Sequence, residues 1–345
     1  MDTTPPPTAL TPLRPDPAAP AGGRALSQGL ASDPAIATRG LTKTFGTGRK
    51  ARTVVADLDL AVPRGVVYGF LGPNGSGKST TMKMLLGLLA PTRGEVALLG
   101  TPLDRRSRGP LMARTGSMIE RPPGYTHLTG AENMRIIQRM LGLTDRQVER
   151  ALDLVRLNEH KDRLVRAYSL GMKQRLGIAM ALAREPELLV LDEPTNGLDP
   201  AGIEEVRHLL IDLAGQGVSV MVSSHLLDEI DRMASVLGIL SAGRLVFQGT
   251  RSDLMRRSVP DLHLVSPSAD AVGPALLTGL VPSGAEARSL RRVPDGLQIT
   301  GLSADAAAEL ARRLVAAGVP IHELRRQTQN LEDVFRDLTG GTGVL

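Results

Sequence analysis

Residues 72–80 read GPNGSGKST, and this segment constrains the fold more than any other part of the chain. It matches the pattern G-x-x-x-x-G-K-[ST] and lies between an apolar β-type segment, 66–71, and a segment of helical character, 79–89. In that context the pattern predicts a phosphate-binding loop, in which glycines let successive backbone N–H groups point inward and the following helix adds its positive end. An ordinary glycine-rich turn is the alternative, and the complete match disfavours it.

Each residue of the loop has an expected role in holding a nucleoside triphosphate and Mg²⁺. Lys78 is expected to reach the β- and γ-phosphates as a point charge, Ser79 to take one Mg²⁺ position, and Thr80 to contact a phosphate oxygen. The remaining residues form the cradle itself, and they are Gly72, Pro73, Asn74, Gly75, Ser76 and Gly77.

Two carboxylates follow a second buried strand. The apolar run 188–191 leads directly into Asp192 and Glu193, at the strand end where ligands bind in open α/β sheets. Asp192 is expected to hold Mg²⁺, directly or through water, and Glu193 to polarise the water that attacks the γ-phosphate. The pair could instead cap a helix that begins at Pro194. The phosphate loop in the same chain favours the catalytic interpretation.

Apolar patterns around these motifs predict an α/β fold with a mainly parallel core sheet. The runs 188–191 and 218–222, separated by a predicted helix at 200–214, are typical of parallel strands buried on both faces. Strands are also expected at 36–38, 54–62 and 95–99, with a hairpin-like turn at 46–52.

Three further regions complete the predicted organisation. Residues 1–34 are rich in proline and are expected to be a disordered tail, and 35–258 to form the nucleotide-binding domain. Within that domain a helical subdomain is expected at about 103–184, where Thr129 and Glu132 have the spacing of a capping box that opens a helix through Met140.

Residues 259–345 are expected to form a small α+β accessory domain. Its predicted elements have the ferredoxin-like order β-α-β-β-α-β and a last helix begins at Leu331. The strands are expected at 262–266, 287–293, 297–300 and 320–325, with helices at 269–278 and 303–317.

Composition excludes several classes of function. The chain of 345 residues has no Cys, which excludes thiolate metal sites and a Cys nucleophile. Three Tyr, four Phe and no Trp are too few for the stacking platforms of single-strand nucleic-acid binders, and a net charge of +5 is modest, so no nucleic-acid partner is expected. We expect neither a membrane span nor a secretory signal, and therefore a cytoplasmic protein.

Further motifs give the chain a specific resemblance. It reads YSLGMKQR at 168–175, NGLDP at 196–200 and SSH at 223–225, in this order after the phosphate loop. Over roughly 36–250 it resembles an ABC transporter ATPase subunit. The resemblance implies a P-loop NTPase of ABC ATPase type, in which an antiparallel β subdomain and a helical insertion flank the core sheet, and it implies ATP binding and hydrolysis.

The resemblance also implies a site shared between two chains. Ser169 and Gly171 belong to the signature motif, which in this family contacts the γ-phosphate of ATP held by the other subunit. A helix that starts near Leu170 would offer free N–H groups and a partial positive charge for this purpose. Ser169 is also a plain N-cap, and both interpretations can hold together. A second copy of this or a similar chain is therefore an expected partner.

Four other site residues are carried over from the resemblance. His225 is expected to contact the γ-phosphate and the attacking water, although a lone His is usually structural. Asp199 is expected to join the two subunits' sites, and it could also be the N-cap of a helix that begins at Pro200. Phe45 in KTFG is expected to stack on adenine, with a core position as the alternative. Glu120 stands where Gln is more usual and is expected to bind Mg²⁺.

The SLGMKQR spelling, Glu120 and LEDVFRDLTG at 331–340 look like the branch that serves bacitracin, lantibiotic and other drug exporters. The branch implies separate permease subunits and attachment to the inner face of the cell membrane through them. Leu170 and Met172 depart from the usual Gly and Gln of the signature. The alternative function is a soluble non-transport ABC ATPase of DNA repair or translation, but the short spacing between Lys78 and Ser169 and the single phosphate loop disfavour it.

Overall fold

A computed structural model describes residues 33–120, 124–256, 260–281, 289–294, 296–327 and 331–339. Residues 1–32 of the predicted tail lie outside the described residues. Up to the carboxylate pair the chain forms β1 (Ile36–Phe45), β2 (Arg52–Leu58), β3 (Ala61–Val62), β4 (Val67–Leu71), α1 (Lys78–Leu85), β5 (Arg93–Leu98), β6 (Thr101–Pro102), α2 (Arg108–Ala113), β7 (Thr115–Met118), α3 (Gly130–Leu141), α4 (Asp145–Leu154), α5 (Leu170–Leu182) and β8 (Leu188–Asp192).

The second half begins with the helix that follows the carboxylate pair. Its elements are α6 (Pro200–Gly215), β9 (Ser219–Ser224), α7 (Leu227–Asp231), β10 (Val236–Ser241), β11 (Arg244–Gly249), α8 (Arg251–Arg256), β12 (Asp261–Val265), β13 (Leu290–Val293), β14 (Gly296–Ile299), α9 (Ala304–Ala316), β15 (Glu323–Gln327) and α10 (Leu331–Thr339).

The central sheet has the strand order β11-β10-β4-β9-β8-β7 among the described residues. All neighbouring pairs are parallel except β10 with β11, which confirms the expected mainly parallel sheet. Every residue of β4, β8 and β9 is buried, because helices cover one face and α1 with the antiparallel sheet covers the other. This double burial explains why these strands are short apolar runs without alternation.

The register of the central strands brings their carboxyl ends together. Leu71 at the end of β4 pairs with Ser224 of β9, and Asp192 at the end of β8 pairs with Ser223 of β9. The segments that follow these three strands therefore emerge side by side at one edge of the sheet. These are the glycine-rich loop, the Glu193 turn and the segment that begins with His225.

A second sheet confirms the predicted antiparallel subdomain. Its order is β2-β1-β5-β6, with β3 also paired to β1, and β1 and β2 form the predicted hairpin around 46–52. The single segment expected at 54–62 is instead divided into β2 and β3. The break falls at residues 59–60, where the Thr38 hydroxyl donates to the carbonyl oxygen of Leu58 at 2.7 Å and accepts from the N–H of Leu60 at 2.9 Å, so a side chain replaces part of the ladder.

One strand of the central sheet was not expected. β7 lies within the stretch 103–184, which is otherwise mostly helical, and its sequence TGSM has no apolar run to reveal it. It pairs in parallel with β8. A Cβ on Gly116 would lie 2.2 Å from the carbonyl oxygen of Ala181 in α5, so close packing of helix on strand requires glycine here. The predicted capping box of Thr129 and Glu132 at α3 is confirmed.

Two of the helices that the sequence predicts differ in extent from the helices of the structure. The helix expected at 79–89 begins at Lys78 and ends at Leu85, because Gly87 follows in the left-handed region with a φ of +63°. The helix expected at 269–278 is replaced by two 3₁₀ turns, Ala269–Ala271 and Pro274–Leu277. Pro274 cannot donate a helical hydrogen bond to the preceding turn, which explains the interruption.

The C-terminal strands form a third sheet with the order β13-β14-β12-β15, antiparallel throughout. This is the strand order of a ferredoxin-like unit, with 3₁₀ turns in place of its first helix. α9 packs on one face and encloses a small apolar cluster of its own. The last helix, α10, leaves this unit: Val334 and Phe335 are buried in the same cluster as Ile239 of β10 and Leu254 of α8.

No helix within the described ranges is both long enough and apolar enough to cross a membrane.

The contact between α7 and the central sheet gives the first prediction. A Cβ on Gly69 in β4 would lie 2.1 Å from Cγ2 of Ile230 and 3.1 Å from Cβ of Ala234. Gly69→Ala should therefore lower the free energy of unfolding by about 1–3 kcal/mol, through overpacking. Urea unfolding of the purified chain measures this change. Gly109→Ala is the control, because a Cβ on Gly109 in α2 meets nothing within 4 Å. Equal stability of the two variants would contradict the described packing.

Candidate functional site

The loop after β4 is held in a tight curve by contacts that tolerate only glycine at two positions. A Cβ on Gly72 would lie 2.4 Å from the carbonyl oxygen of Leu240. Gly77 has a φ of +108°, and a Cβ there would lie 2.9 Å from the carbonyl oxygen of Val54. The N–H of Gly243 donates to the carbonyl oxygen of Ser76 at 3.0 Å. The antiparallel sheet and the β10–β11 turn therefore fix the loop from outside.

The inner side of the loop suits an anion. The hydroxyl oxygen of Ser76 is buried and has no hydrogen-bond partner among the described residues, although a buried polar group normally has one. A Cβ on Gly75 would meet nothing within 4 Å, so the loop is open above this residue. The first N–H groups of α1 have no intrahelical partner and are available to an anion at this end of the helix. Ser79 and Thr80 lie half-buried in this first turn.

Lys78 is the buried cation of the site. Its side chain is 6% exposed, its Nζ donates to the carbonyl oxygen of Gly72 at 2.6 Å, and it lies 3.6 Å from Oε1 of Glu193. Burial lowers the pKa of Lys78, while the charges of Glu193 and Asp192 act in the opposite direction. The structure thus joins the lysine of the loop to the carboxylate pair.

Ser223 bonds the carboxylate of Asp192 at the end of β8 and the backbone of the residue that follows, Glu193. Its hydroxyl donates to Oδ1 of Asp192 at 2.5 Å and accepts from the backbone N–H of Glu193 at 3.0 Å. Asp192 is buried, with 4% of its surface exposed. The hydroxyl of Ser79 and the carboxylate of Asp192 are oxygen ligands of the kind that Mg²⁺ prefers. The donor set therefore fits such an ion bound together with phosphates.

Glu193 contacts the third motif. Its Oε2 lies 2.7 Å from Nδ1 of His225, so the histidine that follows β9 meets the carboxylate that follows β8. Glu193 has a φ of +50°, which is uncommon for a residue with a side chain. Backbone strain of this kind persists where the surroundings over-determine it, and it clusters at functional sites.

Ser169, Gly171 and Asp199 form a second group on the same chain. Ser169 is exposed and its hydroxyl accepts from the N–H of Met172 at 3.2 Å, so it caps α5 as expected. Asp199 accepts from the N–H of Gly202 at 3.1 Å and caps α6. Both N-cap interpretations are confirmed.

The two caps of this group are connected by packing. Leu170, which is 49% exposed, places Cδ2 only 2.4 Å from where a Cβ on Gly197 would be. A Cβ on Gly171 would likewise lie 3.4 Å from Cδ2 of Leu198. The start of α5 therefore rests on the NGLDP segment that leads into α6.

Two further predicted site residues, Glu120 and Phe45, contact lysines outside the phosphate loop. The carboxylate of Glu120 forms an ion pair with Lys83 of α1, and Glu120 has a φ of +68°. Phe45 at the end of β1 is 43% exposed, with Nζ of Lys43 5.2 Å from the ring centroid. The core position considered for Phe45 is therefore wrong, because an exposed ring is not part of the core.

Sequence reasoning missed the hydroxyls and carboxylate that connect the loops. Ser223 was part of the SSH motif, and its place at the carboxyl end of an apolar strand could have identified it. Thr195 donates to Oε2 of Glu229 at 2.7 Å, and Ser224 donates to the same oxygen at 3.1 Å. No local pattern marks that link, since Thr195 and Glu229 are 34 residues apart.

Known proteins are similar to this chain in sequence and in fold. A family model described as ABC transporter matches residues 55–196. The bacitracin transport ATP-binding protein of Enterococcus faecalis is 40% identical over 312 residues, which cover 90% of this chain and 97% of that protein. The lantibiotic transport ATP-binding protein of Streptococcus pyogenes is 40% identical over 208 residues, which cover 60% of this chain and 87% of that protein.

Solved structures agree with these sequence relationships. The ATP-binding subunit of an ABC transporter is 31% identical, with a TM-score of 0.56, over 64% of this chain and 92% of that chain. A dimeric cassette in a post-hydrolysis state with ADP and Pi is 24% identical, with a TM-score of 0.57, over 62% of this chain and 98% of that chain. At that identity the likeness concerns the fold alone. The chain belongs to the ABC transporter family and is an ATP-binding, ATP-hydrolysing subunit.

Proposed function

We propose that this chain energises the export of a peptide antibiotic, a drug or a similar compound through separate membrane subunits. The near full-length similarity to a bacitracin transport ATP-binding protein supports this substrate class most directly. The relatives do not favour a non-transport ATPase of DNA repair or translation. In this proposal the chain lies at the inner face of the cell membrane, attached through the permease.

The phosphate loop and its surroundings would bind MgATP. The backbone N–H groups of the loop, the Ser76 hydroxyl and Lys78 would surround the phosphates, and Thr80 would contact a phosphate oxygen. Ser79, Asp192 and Glu120 would hold Mg²⁺, which would neutralise charge on the phosphates when bound. Phe45 would stack on the adenine, because β1 pairs with the β2 strand whose Val54 touches the loop.

Glu193 and His225 would carry the hydrolytic step. Glu193 is proposed to accept a proton from the attacking water as the water oxygen bonds to the γ-phosphorus and the bond to the β-phosphate oxygen breaks. ADP and phosphate are the products. His225, 2.7 Å from Glu193, would hold that carboxylate and the water in place. The proposal rests on the assembly of Lys78, Glu193 and His225 at one sheet edge.

A second nucleotide-binding chain would complete each site. The N-terminus of α5 presents an exposed Ser169, whose hydrogen bond lies within its own helix end and leaves the remaining first-turn N–H groups available to a phosphate. We therefore place Ser169, Gly171 and Asp199 against ATP bound by the partner subunit. ATP would hold two chains together until it is hydrolysed.

The division of the chain into a nucleotide-binding domain, 35–258, and an accessory domain, 259–345, is part of the same proposal. The C-terminal unit would pack on or regulate the nucleotide-binding part. The burial of Val334 and Phe335 of α10 against β10 and α8 supports a structural connection between the two parts.

Separate substitutions should distinguish nucleotide binding from hydrolysis. Lys78→Ala should lose most of its affinity for ATP, because it removes the buried cation that faces the phosphates. Glu193→Gln should still bind ATP, but its turnover should fall roughly 10²-fold or more because the general base is gone. Equilibrium binding of a fluorescent ATP analogue and phosphate release measure the two effects. Lys161→Ala, outside the site, is the matched control, and unimpaired turnover by Glu193→Gln would refute the assigned base.

Mixing two inactive variants should test the shared site. Neither Lys78→Ala nor Ser169→Glu should hydrolyse ATP alone, because each alters both sites of its own dimer. Their equimolar mixture should recover about a quarter of the wild-type rate, since half the dimers are mixed and each mixed dimer has one intact site of two. Wild type mixed one to one with the Lys78→Ala/Ser169→Glu double variant should instead lose activity, from about half of the rate for an all-wild-type sample to about a quarter, because both sites of every mixed dimer are altered. A mixture as inactive as its components would argue against a partner-completed site.

Export can be tested in cells. The chain should co-purify from detergent-solubilised membranes with an integral membrane protein. Expression of both should raise tolerance to bacitracin or a lantibiotic, because hydrolysis drives the compound outward. Glu193→Gln should co-purify equally well and confer no tolerance. If wild type and Glu193→Gln give the same tolerance, export does not depend on this ATPase.

A further inference from the structure

Glu229 is a carboxylate outside the motifs, and it joins the two loops that carry Glu193 and His225. Its Oε2 accepts a hydrogen bond from Oγ1 of Thr195 at 2.7 Å and another from Oγ of Ser224 at 3.1 Å. Thr195 lies two residues after Glu193, and Ser224 immediately precedes His225. One carboxylate oxygen therefore bridges the Glu193 turn to the histidine segment.

The two hydroxyls that Glu229 accepts from are buried. Thr195 is 3% exposed and Ser224 is 2% exposed, so loss of their acceptor would leave two buried donors without a partner. The Ser224 hydroxyl also accepts from the N–H of Leu226 at 3.0 Å, which fixes its rotation and aims its proton at Glu229. The link therefore has a defined geometry on the histidine side.

Glu229 itself is held at a fixed place relative to the sheet. It lies in α7, whose Leu227 and Ile230 are fully or almost fully buried. Ile230 packs where a side chain on Gly69 would be, against the strand that leads into the phosphate loop. The position of Glu229 is thus tied to the same strand that positions Lys78.

Two cross-links therefore connect the turn after β8 to the end of β9. Ser223 bridges Asp192 and the backbone of Glu193, and Glu229 bridges Thr195 and Ser224. Between them lies the strained backbone of Glu193, with its φ of +50°. We infer that Glu229 is a positioning residue, which through Thr195 and Ser224 sets the separation of Glu193 from His225. This inference rests on the roles proposed above for Glu193 and His225.

Removal of the carboxylate should affect turnover and leave nucleotide binding intact. For Glu229→Ala, kcat for ATP should fall about 10- to 100-fold, the range typical of groups that orient a reacting group through a hydrogen bond. KM and the affinity for the ATP analogue should stay within about twofold, because the phosphate loop is unchanged. Glu229→Gln should retain most of the activity, since the carboxamide oxygen can accept both hydrogen bonds.

Asp228→Ala is the matched control, because Asp228 is the exposed neighbour on the same helix. It should behave as wild type in kcat, KM and thermal stability. If Glu229→Ala turns over ATP as fast as Asp228→Ala, or if Glu229→Gln is as impaired as Glu229→Ala, the positioning role is wrong. A rise in KM with an unchanged kcat would also overturn it.

Thr195→Val removes the donor of the Thr195–Glu229 hydrogen bond instead of its acceptor. It provides the test if Glu229→Ala does not fold. It keeps the branched shape and removes the hydroxyl, so kcat should again fall while ATP binding is retained. The Thr195→Val/Glu229→Ala double variant should be no slower than Glu229→Ala, because Glu229→Ala already removes the hydrogen bond that Thr195→Val breaks. Additive losses would contradict a shared link.

Measuring Glu193→Gln in parallel distinguishes a failure of the positioning role of Glu229 from a failure of the proposed base role of Glu193. If Glu193→Gln is inactive and both Glu229→Ala and Thr195→Val are normal, the inference about Glu229 fails and the proposed function stands. If Glu193→Gln hydrolyses ATP normally, the assigned base is wrong, and the inference fails with it.

Discussion

The parallel register of β4, β9 and β8 is the constraint on which the site depends. Because β9 pairs with both neighbours, the ends of the three strands meet at Leu71, Ser224 and Asp192. Side chains from three distant parts of the sequence then converge without any long loop to carry them. Burial of the strands on both faces keeps this register fixed, because a slip of one residue would exchange the side chains that pack against the two covering layers and displace every side chain of the site.

Charge balance at that sheet edge explains why a lysine can be buried there. Lys78 is desolvated, which disfavours its charged form, and the carboxylate of Glu193 at 3.6 Å compensates in part. A triphosphate would add negative charge at this place and would compete with Glu193 for the lysine. The Glu193 carboxylate lies between two partners, Lys78 and His225. If Glu193 is the general base, as proposed, a rigid backbone is needed to hold its carboxylate in reach of the attacking water. Ser223 and Glu229 supply that rigidity.

The structure brings Lys78, Glu193 and His225 together, and the sequence could single out these residues because each motif is local. The phosphate loop, the Asp192–Glu193 pair and the caps of α5 and α6 were each contained in fewer than ten consecutive residues. The features that the sequence did not reveal depend on distant contacts. β7 is a strand because β8 pairs with it, and Gly116 is needed because the backbone of Ala181 lies against it. The link from Thr195 to Glu229 exists only once β8 and β9 are neighbours.

Leu170 stands where the signature usually has glycine, and its contact with Gly197 suggests what the larger side chain does. A glycine at position 170 would have no side chain to reach the NGLDP segment, whereas Leu170 fills the space beside Gly197. Because Asp199 caps α6 two residues further on, a displacement of the α5 N-terminus would press directly on the segment that ends at that cap. If both ends face the partner's ATP, as proposed, this contact would make them respond together, and the added side chain would strengthen the coupling between them.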